Sequence, residues 1–229
     1  MLYRIQIIAL LLAWPLALPA LAYERISVPP VDQSFRYADL QDFRNQLLNS
    51  VTARDTESVI RMTTRDIYLS HGGHSGHDDL RQMLKAETYW ADLERAIRLG
   101  GVFGETEEFR NKAPFYAPYI TALENDSPLN PFEVYVVTGQ HVRVRSGPGT
   151  NHAIIGRLSY EVVRSRQFDK TSMQNLSEQG DHAWLPVEMP QNGQDGWISN
   201  RYLYPLAGTR MRFIFDGQRW LIDMIVSGD

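Results

Sequence analysis

The sequence contains no cysteine. The chain therefore has no disulfides, no thiolate metal ligands, no cysteine nucleophile and no lipid-modified cysteine. It also has no excess of basic residues, since 23 Lys and Arg stand against 27 Asp and Glu and give a net charge of -4. A dedicated nucleic-acid binder would need a basic stripe, so this class is disfavoured. No Gly-Lys-Ser or Gly-Lys-Thr run is present, which excludes a P-loop.

The first 22 residues have the pattern of a secretory signal peptide. Arg4 precedes a short apolar run at 7–14, and Ala20-Leu21-Ala22 provides small residues at a cleavage position. The run is too short, and too soon followed by proline, to cross about 30 Å of hydrocarbon. No later stretch is long and apolar enough, so we expect an exported chain that does not span a membrane. Export without disulfides is more typical of the bacterial periplasm than of eukaryotic secretion.

The first part of the mature chain predicts helices. A 3.6-residue apolar period begins near Tyr37 and predicts one helix, and Asp55 can cap a second short one. Ser75, three residues before Asp78, can begin a third helix that continues to Gly100-Gly101. The segment 102–131 is rich in proline, which predicts a packed loop with one short helix.

From Phe132 the apolar period changes to two. Short strands separated by turns every 8–12 residues or so predict a small β-barrel. Asp216-Gly217 between two apolar runs predicts a terminal hairpin. We expect this hairpin to pack on the N-terminal helices, with the barrel inserted between. The predicted segments are a signal peptide at 1–22, a helix-rich α+β domain at 23–131, a barrel at 132–204 and a hairpin returning to the first domain at 205–229.

Several motifs within 134–203 resemble the bacterial SH3 (SH3b) domain family. They occur in the family's order, and they are Val142-Arg143-Val144-Arg145-Ser146-Gly147-Pro148-Gly149-Thr150, Ile155-Gly156 with Leu158, Trp184 with Val187, Gly193 with Gly196-Trp197-Ile198, and Ser199 to Leu203, which resembles the family's closing turn. The resemblance implies a small barrel of five to seven strands that binds ligands, in some members cell-wall peptides, without catalysing a reaction. The polar insertion 164–182 departs from the family, which usually has a short link there. We expect this insertion to set ligand selectivity.

The rest of the chain is faintly similar to nuclear transport factor 2-like proteins. The similarity consists of a helix ending at Ala53-Arg54-Asp55, a second short helix, a strand, and a terminal Gly217-Gln218-Arg219-Trp220 hairpin. It implies a cone-shaped pocket, although too few strands are predicted outside the barrel to complete such a cone. The predicted fold class is α+β: an N-terminal helical segment with a C-terminal β-hairpin packed on it, plus an inserted small SH3-like β-barrel.

Aromatic residues of the barrel are the candidate ligand-binding residues. Flat rings with a polar edge suit peptides and sugars, although tryptophan at such positions also commonly belongs to a core. The candidates are Tyr160, Trp184, Trp197, Tyr202 and Tyr204.

The turn 71–77 holds three imidazoles, His71, His74 and His77, followed by Asp78 and Asp79. Neutral imidazole binds zinc, copper or nickel, so a weak zinc site is one interpretation. The alternative is a polar surface turn, in which the two aspartates favour the N-terminus of the next helix. No other cofactor is expected, and no residue has the spacing of a catalytic motif.

These patterns predict a non-catalytic binding protein whose partner is peptidoglycan or an envelope protein. Two alternatives remain. One is a small-molecule or metal-binding protein, possibly an enzyme, that uses the helical domain and the histidine turn. The other is an inhibitor or interaction partner of another secreted protein.

Overall fold

The computed structural model describes residues 23–70, 72–104, 112–123, 130–165, 182–190 and 192–228. In this part of the chain the fold is α+β, with four α-helices and two β-sheets. The predicted signal peptide and most of the polar insertion lie outside the described residues. None of the described helices combines the length and apolar character needed to cross a membrane.

The helices begin and end largely where the apolar period predicts. Their bounds are α1 Ala38–Thr52, α2 Thr56–Arg61, α3 Gly76–Met83 and α4 Glu87–Arg98. The α1 stripe packs inward, with Leu40 and Leu47 fully buried. The predicted cap of α2 is confirmed, because the Asp55 carboxylate accepts a hydrogen bond from the Ser58 backbone N–H at 3.0 Å.

The single helix predicted after Ser75 is wrong, because the structure divides it into α3 and α4. The chain turns between them at Leu84, and the buried Trp90 indole donates a hydrogen bond to the Leu84 carbonyl at 2.8 Å. This bond satisfies a carbonyl that the end of α3 leaves free. At the start of α3 the Ser75 hydroxyl makes no capping bond. Instead the Ser75 N–H donates to the Asp79 carboxylate at 3.0 Å.

Within the described ranges, twelve strands form the two sheets. Their bounds are β1 Thr63–Tyr68, β2 Val102–Phe103, β3 Phe115–Ala117, β4 Val134–Val137, β5 Val142–Arg145, β6 Ile154–Leu158, β7 Val162–Ser165, β8 Trp184–Glu188, β9 Asp195–Ser199, β10 Leu203–Pro205, β11 Arg210–Phe215 and β12 Trp220–Val226. The first sheet has the order β1-β12-β11-β3-β2, in which β1 and β12 are parallel and the other pairs antiparallel.

The segment predicted as a packed loop contributes more than expected to the first sheet. The short helix is present as a 3-10 turn at Tyr119–Leu123, but β2 and β3 are present as well. Pro114 and Pro118 lie just outside β3, so neither removes a donor from its three residues. The prolines therefore mark the two ends of β3, whereas we expected them to prevent a strand here.

The first core joins the two ends of the chain. The terminal strands β11 and β12 form the predicted hairpin, whose turn is closed by the Asp216 carboxylate accepting from the Gln218 and Arg219 N–H groups. Phe213 of β11 meets the rings of Phe43 on α1 and Phe115 on β3 edge-on, with centroids 6.0 and 5.7 Å away. The hairpin is therefore part of the helical domain's core.

The second sheet is formed by 134–205, which lies in sequence between β3 and β11. Its order is β10-β4-β7-β8-β9-β5-β6, with every pair antiparallel. Leu203 of β10 and Leu158 of β6 belong to one buried cluster. The sheet therefore curls until its two end strands share a core. These end strands are not hydrogen-bonded to each other in the part of the chain that the structure describes, so no closed barrel is formed there.

The outer side of β4 and β7 packs into the first hydrophobic core. Val134, Val136 and Val162 belong to the first hydrophobic core rather than to the core enclosed by the second sheet. The lead-in segment crosses between the two, since the Val162 N–H donates to the Ile26 carbonyl at 3.0 Å and the Tyr23 hydroxyl donates to the Glu188 carbonyl at 2.7 Å. Among the described residues, the other half of the sheet, β8-β9-β5-β6, is left to present an outer face.

Candidate functional site

The two tryptophans of the second sheet point away from its core. In β8 Leu185 and Val187 are buried inside while the alternate positions, including Trp184, are half-buried on the outside. In β9 Ile198 is inside and Trp197 is half-buried outside. Because side chains alternate along a strand, the tryptophans share the outer face.

A continuous row of side chains crosses four strands on this face. Pro186 of β8 lies opposite Trp197 of β9, which lies opposite Arg145 of β5, which in turn lies opposite Ile154 of β6. Trp184 lies opposite Ser199 and is therefore the diagonal neighbour of Trp197. We call Trp184, Pro186, Trp197, Arg145 and Ile154 the aromatic face.

Basic residues border the aromatic face. Arg143 of β5 lies directly opposite Arg157 of β6, and both are exposed. Like charges in opposite positions destabilise a strand pair, so an anionic partner placed between the two guanidinium groups would be favourable. At the other end of β8 and β9, Glu188 lies opposite Asp195. The outer face thus has a basic and an acidic end.

The Arg-Ser-Gly-Pro-Gly motif orders the loop beside the face. Arg145 is 7% exposed, and its guanidinium donates to the His152 carbonyl at 2.7 Å. A Cβ added to Gly147 would lie 2.5 Å from the His152 ring, so glycine allows this close packing. Arg145 therefore connects the aromatic face to a loop of fixed shape.

Gly196 sets the position of Trp197. A Cβ at this glycine would lie 2.3 Å from Val144 Cγ1, a contact that no side chain at 196 could make without displacing β5. The glycine therefore lets β9 approach β5 closely, and its neighbour Trp197 is held on the opposite surface. The Gly-Trp-Ile motif mainly encodes packing, and it leaves Trp197 half-buried on the outer face.

Two other predicted aromatic residues lie at a different place. The backbone N–H of Tyr160, whose φ is 56°, donates to the Gly139 carbonyl at 3.2 Å. The backbone carbonyl of Tyr202 accepts from the Thr138 N–H at 2.8 Å. Tyr202 is 40% exposed, and the Arg201 guanidinium lies 5.2 Å from its ring centroid. Both tyrosines flank the turn between β4 and β5 rather than the aromatic face.

Tyr204 does not line a groove. It is 3% exposed and belongs to the first core, and its hydroxyl donates to the Thr209 carbonyl at 2.5 Å. Burial raises the pKa of this hydroxyl well above its usual range, with the nearby Arg95 acting in the opposite direction. Strand β10 turns this ring towards the helices, so we remove it from the candidate site.

The histidine turn does not bring its described imidazoles to one point. His77 Nε2 lies 3.0 Å from the Thr64 carbonyl, whereas His74 Nδ1 lies 3.5 Å from the Asp79 carboxylate. His71 lies outside the described residues. Within the described ranges, no group of three or more His, Cys, Asp or Glu side chains could hold a metal ion. The zinc site therefore stays a prediction from the sequence.

The basic residues of the outer face were not among the sequence candidates. The sequence of β5 nevertheless predicts two of them, because Arg143 and Arg145 alternate with the buried Val142 and Val144. The alternation alone predicts outward arginines. It does not predict which residues of β6 and β9 lie beside them, since that depends on register.

No protein-family model, curated protein or solved structure matches this chain.

Proposed function

We propose that this chain is an exported, non-catalytic binding protein whose second sheet is an SH3-like module that binds cell-wall peptide. The leader pattern supports export. Support for the module comes from the ordered motifs, from the curl of the sheet around one core, and from the short 3-10 turn at Asn200–Tyr202 just before the last strand. Such a turn is what the resemblance implies at that position.

The aromatic face is the observation that carries the proposal. Trp197 sits between Pro186 and Arg145, and this combination offers a flat apolar surface beside fixed positive charge. Cell-wall peptides are short, extended and rich in carboxylates. A chain lying across Trp197 would bring carboxylates to Arg143 and Arg157, with which guanidinium groups form charge-assisted hydrogen bonds.

The chemistry of the face favours binding over catalysis. Indole, pyrrolidine, guanidinium and aliphatic groups provide contact area and charge, but none of them is a general base or a nucleophile at neutral pH. A ligand held there would be recognised without being changed. An acidic segment of an envelope protein would satisfy the same groups, and the experiment below separates the two ligands.

Replacing Trp197 by alanine should greatly weaken binding to purified peptidoglycan sacculi. We expect the mature wild-type protein to co-sediment with sacculi, and the apparent Kd of Trp197→Ala to be about tenfold higher or more, which is the range for a central aromatic contact. The measurement is the bound fraction against sacculus concentration, with the melting temperature recorded for each variant.

Phe35→Ala is the matched control, because Phe35 is 68% exposed and lies in the lead-in to α1 outside the second sheet. It should bind sacculi like the wild type. If Trp197→Ala binds sacculi as well as the wild type does, the aromatic face is not the binding site. If the wild-type protein does not bind sacculi but binds an acidic envelope protein, the ligand of the aromatic face is that protein and not cell-wall peptide.

A further inference from the structure

An aromatic cage surrounds the amino group of Lys112. Its Nζ lies 4.0 Å from the ring centroid of Phe215, 4.6 Å from that of Tyr37 and 5.3 Å from that of Trp220. The Asp39 carboxylate completes the cage with an Oδ2 atom 2.6 Å from Nζ. Three rings and one carboxylate thus converge on one ammonium group.

Elements from both ends of the chain build this cage. Tyr37 and Asp39 lie at the start of α1, while Phe215 and Trp220 end and begin the two strands of the terminal hairpin. Trp220 also meets the rings of Tyr37 and Phe215, with centroids 6.1 and 5.6 Å apart. The rings therefore also pack on one another and on the first core.

The polar part of the cage is arranged for a cation. Burial raises the pKa of Asp39, but the hydrogen bond from Lys112 and the indole of Trp220 outweigh it, so the pKa lies below its usual value. Trp220 is 2% exposed, and its buried Nε1 forms no hydrogen bond of normal geometry with a described residue.

The cage opens to solvent on the carboxylate side. The Asp39 side chain is 50% exposed, and the Lys112 side chain is 19% exposed. An ammonium group has three donors, of which one is used by Asp39 while the ring faces surround the rest of the group. Rings around a partly dehydrated cation are the arrangement by which proteins recognise alkylammonium ligands.

We propose that this cage is an alkylammonium-binding site. Lys112 occupies it in cis, and a peptide with a free primary amino group, such as that of a lysine or another diamino acid, competes for it in trans. The site is independent of the aromatic face, because all its residues belong to the first domain. It gives the protein a second recognition element, specific for the cationic end of a peptide.

The first test uses Lys112→Ala, which empties the cage, with n-butylammonium chloride as the probe and 1-butanol as its uncharged counterpart. We expect n-butylammonium at millimolar concentrations to shift the Trp220 indole N–H resonance and to raise the melting temperature of the variant. The same concentration of 1-butanol should do neither. Equal effects of the two probes, or no effect of either, would overturn the site.

The second test examines competition in the wild-type protein. The probe is acetyl-Gly-Lys-Gly-amide, and the control peptide has norleucine in place of lysine. The lysine peptide should shift the Trp220 indole resonance of the wild type, bind Lys112→Ala about tenfold more tightly, and lose its effect in Asp39→Asn. If only Lys112→Ala responded, the cage would be a purely internal contact and the proposal of binding in trans would fail. If Lys112→Ala does not fold, Phe215→Leu provides a second test. This variant lacks one ring of the cage, so the lysine peptide should no longer shift its Trp220 indole resonance.

Discussion

Phe213→Ala should lower the free energy of unfolding by about 3–5 kcal/mol, the range for removing a fully buried aromatic side chain. Phe213 is 0% exposed and lies on β11, between β12 and β3. Its edge-on contacts with Phe43 and Phe115 add about 0.5–1.5 kcal/mol per ring pair to the area that it buries. Urea unfolding, followed by far-UV circular dichroism, measures the change.

Phe35→Ala removes the same side chain from an exposed position and should change the free energy of unfolding by no more than about 0.5 kcal/mol. The comparison isolates burial from the chemistry of the substitution. An unfolding midpoint for Phe213→Ala equal to that of the wild type would mean that the terminal hairpin does not complete the first core. The cage around Lys112 would then lose its scaffold as well.

Reversing both charges in Arg143→Glu/Arg157→Glu should weaken sacculus binding by about tenfold to a hundredfold, which corresponds to about 1.4–2.8 kcal/mol. The two arginines lie opposite each other beside the aromatic face. Glutamates there would repel the carboxylates of a cell-wall peptide. Wild-type binding should also weaken as salt is raised from low to about 0.5 M, because exposed charge pairs are screened.

A double variant with the same change in net charge serves as the control. Arg61 ends α2 and Arg219 lies in the terminal turn, both exposed and outside the second sheet. Arg61→Glu/Arg219→Glu should bind sacculi like the wild type within about twofold, since its altered charges lie on elements outside the second sheet. If both double variants lose the same amount of sacculus binding, the loss comes from net charge and not from the position of Arg143 and Arg157.

Strands such as β5 and β8 were predictable because their buried apolar residues recur at every second position. Val142 and Val144 are buried, Arg143 between them is exposed, and Ser146-Gly147-Pro148-Gly149 is a strong turn signal. The same holds for α1, whose stripe repeats every three or four residues. Local patterns of this kind depend on one element and one buried face.

Contacts between distant elements were not predictable in this way. No glycine or proline marks the break between α3 and α4, and the Trp90 indole that binds the Leu84 carbonyl signals it only in three dimensions. Strands β2 and β3 are too short to show a period, and their pairing depends on distant elements, because β11 pairs with β3 and β3 pairs with β2. Tyr204 reads like a groove residue, yet the packing of β10 on the helices buries it.

The two candidate sites differ in the same respect. The tryptophans of the aromatic face could be listed from the motifs, although their row with Pro186 and Arg145 required the strand register. The cage could not be listed at all, because its members come from the start of α1, the terminal hairpin and Lys112. Single aromatic residues in such places look like ordinary core positions. Only the fold shows that they converge on a cation.

The most direct test of the account is a nuclear magnetic resonance titration of the mature protein with a soluble peptide fragment of the cell wall. The account predicts that the Trp197 indole N–H and the backbone amides of β5, β8 and β9 shift most, and that the shifts saturate with one Kd. Trp197→Ala should abolish that saturable response while its remaining spectrum stays that of a folded protein. Shifts confined to the turn beside Tyr160 and Tyr202, or no saturable shifts at all, would contradict the central claim.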